Sequence, residues 1–109
     1  MNNHNLAKTL SSQYIAALQR DGLALERIPE KLRTPALCIT AVKQHGNAIM
    51  LVPDNIKTLE MCLVAVQQEG SVLEHIPNKF KTREVCMAAV KQNSRAFNHV
   101  PQGFIMQET

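Results

Sequence analysis

"TPALCITAVKQHGNAIMLVP", residues 34–53, recurs as "TLEMCLVAVQQEGSVLEHIP", residues 58–77, and again as "TREVCMAAVKQNSRAFNHVP", residues 82–101. Pro29, Pro53, Pro77 and Pro101 stand 24 residues apart. Thr34, Thr58 and Thr82 keep that interval, as do Cys38, Cys62 and Cys86. So do Ala41, Ala65 and Ala89; Val42, Val66 and Val90; and Gln44, Gln68 and Gln92. An earlier stretch is more divergent but in register, with Tyr14 at the cysteine position and Ala17, Gly22 and Leu25 in place. A fixed period of this length marks a tandem array, in which each unit buries its apolar face only against its neighbours.

Each unit carries its own helix signals. The threonines stand where an N-cap hydroxyl satisfies free backbone N–H groups. Pro35 suits the first helical position, and Glu60 and Glu84 complement the positive helix end. The runs "ALCITAV", "EMCLVAV" and "EVCMAAV" are apolar nearly all round, which predicts a helix buried on several sides. Gly22, Gly46 and Gly70 stand where a left-handed residue would end that helix, with Ser94 as a weaker stop. A second, short helix follows, its apolar face exemplified by Ala48, Ile49 and Val52, and it stops before the proline. The next turn is expected to be pinned by Leu32, Ile56, Phe80 or Phe104.

The motif T-x-x-x-C-x-x-A-V-x-Q-x-G-x-A-L-x-x-V-P, followed by a polar turn, resembles the repeats of the family called domain of unknown function 4116. That family comprises bacterial and some protist proteins with tandem short units. The resemblance runs from about residue 10 to residue 104. It implies a helical-repeat fold and, by its name, no assigned activity.

The expected fold is therefore all-α: a short α-solenoid of about four tandem 24-residue helical hairpins. Units fall at approximately 6–29, 30–53, 54–77 and 78–101, with a C-terminal cap at 102–109, the whole being one domain of 109 residues. No apolar run approaches the ~20 residues of a membrane span, and the N-terminus lacks a secretory pattern. A cytoplasmic protein is the expectation, although export by a specialised secretion system leaves no mark in such a sequence. A net charge of +3 is too modest to argue for nucleic acid by itself.

Catalytic chemistry finds no support in the spacing, and no catalytic residue, metal ligand or cofactor is assigned. Three cysteines one unit apart are too distant for disulfides between packed helices, and no local ligand pair suits zinc. They read as small buried hydrophobes. The glutamine column reads as long amides that satisfy backbone groups of an adjacent turn or unit. Arg33, Lys57 and Lys81 form a basic column before the threonines, an edge that could attract nucleic acid or another polyanion. Nearby Glu30, Asp54, Glu60 and Glu84, and the lack of interleaved aromatics, favour a mixed solvated surface instead.

One departure from the repeat is informative. Where other units carry Glu26-Arg27, Glu74-His75 and Asn98-His99, the second carries Met50-Leu51. Apolar residues that the repeat does not need point to a partner, or to closer burial against a neighbouring turn. The leading functional expectation is a non-enzymatic module that binds a protein of unknown identity through its exposed face. Met50 and Leu51 would anchor that contact, with Asn47, Arg95, His75 and His99 supplying specificity. Polyanion binding along Arg33, Lys57 and Lys81 is the alternative.

Overall fold

The computed structural model describes residues 3–105, and the side chains of residues 10–103. The order opens with helix α1 (Asn3–Arg20) and 3-10 helices at Gly22–Arg27 and Glu30–Leu32. Helix α2 (Pro35–Gln44) precedes 3-10 helices Gly46–Leu51 and Asp54–Ile56, and α3 (Leu59–Gln68) precedes Gly70–His75 and Asn78–Phe80. Helix α4 (Arg83–Gln92), a 3-10 helix at Ser94–His99 and a short α5 (Gln102–Ile105) complete it. The described residues are all-helical or connecting, with no strand. Helices α1 to α4 pack each on the next, and so do the six-residue 3-10 helices.

Local chemistry explains each start. The hydroxyls of Thr34, Thr58 and Thr82 accept from the N–H of Leu37, Met61 and Val85 at 3.3, 3.1 and 3.2 Å. Pro35 occupies the start of α2, where its missing N–H costs nothing.

The stops correct the expectation. No described glycine has positive φ, so Gly22, Gly46 and Gly70 are not left-handed caps. Each long helix ends because the next residue turns extended, as His45 does at φ −150°, ψ 111°. After α1, α2 and α4 the side chain of that residue then caps the following 3-10 helix, whereas Glu69 after α3 makes no such bond. Asp21 accepts from Leu23 N–H at 3.0 Å, His45 Nδ1 from Asn47 at 3.3 Å, and Asn93 from Arg95 at 3.0 Å.

The second helix is 3-10 rather than α, which changes its faces. With three residues per turn, positions i and i+3 eclipse. Gly46, Ile49 and Val52 therefore share one buried face, as do Gly22, Leu25, Ile28 and Gly70, Leu73, Ile76. The glycine belongs to this packing face, and that is why it must be glycine. A Cβ on Gly22, Gly46 or Gly70 would stand 2.3, 2.7 or 2.3 Å from the carbonyl oxygen of Ala41, Ala65 or Ala89 in the next long helix. At the corresponding place in the last unit stands Ser94, which is exposed.

Side-chain amides tie neighbouring units, as the column suggested for two of its three members. Gln68 Nε2 donates to Lys43 O at 2.6 Å, and Gln92 Oε1 accepts from Gly70 N–H. The core follows the stack through Leu37, Cys38, Ala41 and Val42 of α2 and Met61, Cys62, Ala65 and Val66 of α3, all at most 3% exposed. Ile56 and Phe80 pack against it, but Leu32 does not anchor its turn and is 46% exposed. The side chain of Phe104 and most of the expected 102–109 cap lie outside the described residues.

Candidate functional site

The three-residue turn of the 3-10 helices sets out the surface. Their outward positions are Leu23 and Glu26, Asn47 and Met50, Ser71 and Glu74, Arg95 and Asn98. Their flanking positions begin with a buried or half-buried small residue and end with Arg27, Leu51, His75 or His99. Because these helices pack side by side, Asn47, Met50 and Arg95 fall in one row and Leu51, His75 and His99 in the next. The six residues singled out by sequence thus lie on one ribbon, though Asn47 and Arg95 are two units apart.

Their environments differ. Met50 is 49% exposed. Leu51 is half-buried and packs against the core, so part of the pair serves the fold. His75 is exposed, and His99 places Nε2 3.9 Å from Glu74 Oε1. Leu23, 39% exposed, was missed by the sequence reading. The rule that found Met50 would have found it, since the other units carry Asn47, Ser71 and Arg95 there. Leu23 and Met50 are the apolar members of an otherwise polar outward row.

The basic column does not act as a row. Arg33 spends its guanidinium on backbone carbonyls: Nε donates to Ile28 O at 2.8 Å, Nη1 to Leu51 O at 2.7 Å and Nη2 to Glu26 O at 3.3 Å. It is a strut that holds the Met50-Leu51 corner to the preceding unit. Lys57, its side chain only 7% exposed, pairs with Asp54 at 2.8 Å. Hydrogen bonding from Lys57, reinforced by its charge, holds the Asp54 carboxyl below its ordinary value. Among the described residues Lys81 has no such acid, and it lines an open cavity with Asn78, Asn98 and His99.

The cysteines are free and buried. Desolvation pushes the thiols of Cys38 and Cys62 up to about 11, against a weaker pull from Arg33 and Lys57 respectively, and Cys86 is raised for the same reason. A thiol held protonated is a poor nucleophile. Replacing Cys62 by Ala is expected to lower stability by roughly 1–2 kcal/mol through a small cavity. The unfolded thiol ionises around 9.0, whereas the folded one keeps its proton to about 11. Its stabilising contribution is therefore full below the first value and lost as pH rises to the second. Denaturant unfolding at neutral and alkaline pH checks both points, the variant losing less stability on the alkaline side.

Among the described residues no helix is long and apolar enough to cross a membrane. A family model described as Domain of unknown function (DUF4116) matches residues 14–57 and, adjacently, 58–105. The second match begins at the N-cap threonine of α3. No curated protein and no solved structure matches the chain.

Proposed function

This chain belongs to the family of the domain of unknown function DUF4116, and from that premise we propose that its recurrent helices form a four-unit α-solenoid whose 3-10 ribbon binds a protein partner. The module is non-enzymatic and works in the cytoplasm. Binding proceeds by burial of Met50, with exposed Leu23 of the preceding unit in the same outward row and Leu51 anchored on the core. Polar neighbours Asn47, Arg95, His75 and His99 select the partner. Solenoids offer extended surfaces suited to this task, and that analogy is part of the warrant.

The observation that carries the proposal is the 49% exposure of Met50 at a position where sister units hold Glu26, Glu74 and Asn98. A large apolar side chain in water serves neither the core nor solubility, and a flexible thioether suits a contact surface. The polyanion alternative is less well supported, because Arg33 and Lys57 are already engaged.

A photo-crosslinking residue at position 50, with one at exposed Lys43 as the control, tests this in native extract. A discrete crosslinked protein is expected from position 50 alone. Met50→Glu should then weaken binding of the identified partner by about tenfold or more, the effect of losing a buried anchor. Its stability should stay within about 0.5 kcal/mol of the parent, as for other surface changes. Leu51→His should cost more stability, since that side chain packs on the core. Unchanged partner binding by folded Met50→Glu would refute the assignment.

A further inference from the structure

The turns of successive units meet in grooves beside the basic column. The first groove is lined by Glu30, Lys31, Arg33, Pro53, Asn55 and Ile56. The last is lined by Asn78, Lys81, Asn98, His99, Val100 and Pro101, and encloses about 550 Å³. The repeat places Glu30, Asp54 and Asn78 at one position, and Glu26, Met50, Glu74 and Asn98 at another. In the last groove both positions carry neutral amides, while the cation of the column is retained.

The fate of the three cations follows from this. Arg33 is satisfied by three carbonyls, and Lys57 by Asp54. Lys81 forms no ion pair within the described residues, although it is only half-exposed. A lysine charge with no carboxylate beside it is left to attract an anion. Around it stand two amides and an imidazole, each able to donate a hydrogen bond to an anion.

We propose that this groove binds a phosphate group, held by the Lys81 ammonium with donors from Asn78, Asn98 and His99. Phosphate fits better than carboxylate. The donors come from two turns, Asn78 and Lys81 from one and Asn98 and His99 from the other, and lysine presents a compact charge rather than the planar fork that matches a carboxylate. The groove is open, so the phosphate is either free or carried on a larger molecule. Glu74, 3.9 Å from His99 Nε2, is outside the lining and opposes the anion. This site borders the ribbon through Asn98 and His99 but does not use Met50, so it stands or falls without the Met50 contact.

The test titrates the full chain, followed by amide NMR, with inorganic phosphate and separately with a phosphoserine peptide. Saturable shifts at Asn78, Asn98 and His99 are expected. Response to both probes identifies the free ion as sufficient, and response to the peptide alone identifies a carried phosphate. Lys81→Met should weaken binding at least tenfold, and Glu74→Gln should tighten it severalfold. Asn78→Asp, which restores the acid found at Asp54, should match the Lys81→Met loss while preserving the fold, so that a misfolded lysine variant leaves the question open to test. Lys31→Met, in the first groove, should change nothing. Absence of saturable shifts with either probe overturns the proposal, as does equal loss in Lys31→Met, which would mean diffuse attraction to polyanions.

Discussion

Replacing Gly70 by Ala should destabilise the protein by at least about 3 kcal/mol, the upper range for overpacking a close-fitted site. The added methyl would meet Ala89 O at 2.3 Å, Gln92 Oε1 at 3.0 Å and Asn93 Cβ at 3.1 Å. The first of these is backbone in the middle of the joint and has no rotamer by which to retreat. Relief requires α4 to move away, which also lengthens the bond between Gly70 N–H and Gln92 Oε1. The backbone at Gly70 has negative φ, so conformational strain contributes nothing and the cost is purely one of contact. Gly103 is the control, because a Cβ there meets nothing within 4 Å. Urea unfolding of both variants measures the difference. A Gly70→Ala protein within about 0.5 kcal/mol of the parent would show that the carbonyl approach does not select glycine.

Deleting the chain from Lys79 onward should abolish cooperative unfolding. The cut removes α4 and the Ser94–His99 helix, which cover Val72, Leu73 and Ile76 at the third joint, each now at most 3% exposed. Returning each such side chain to water costs about 1.5–3 kcal/mol. Together these losses rival the ~5–15 kcal/mol by which a domain is stable. The shortened chain is expected to aggregate or melt broadly in a calorimeter. A soluble fragment that melts as sharply as the whole would argue against units that depend on stacking.

Legibility in the sequence divided along the line between local and non-local chemistry. Thr34, Thr58 and Thr82 were readable as caps because the groups they satisfy lie three residues onward. Glycine is ambiguous in sequence because two unrelated needs select it. A left-handed cap and a close backbone approach both exclude a side chain, and only the neighbouring helix tells them apart. The same absence hid the 3-10 geometry. Ala48, Ile49 and Val52 fit an α-helical face, whereas in the triplet Gly46, Ile49, Val52 the glycine contributes no apolar side chain to the pattern. The engagement of Arg33 is invisible in sequence because its acceptors are carbonyls, two of them in the preceding unit, and carbonyls have no signature there. At the candidate site, comparison between units found Met50 and would have found Leu23. It could not tell that Leu51 leans inward, since that depends on the flanking face of a helix whose period had been misjudged.

Ser94 stands where the three earlier units place the glycine of the joint. The joints share one polarity: at each, the glycine of one unit meets the carbonyl of the long helix that follows. Three joints are built so, and the fourth position carries a side chain where the earlier ones have only hydrogen. A further unit spliced behind Pro101 would bring its carbonyl to the 2.3–2.7 Å separation that a Cβ cannot tolerate. Lengthening by gene duplication or by engineering is thus open at the interior seams, where the acceptor glycine already exists. At the final seam a unit added in the same geometry is expected to need glycine at position 94.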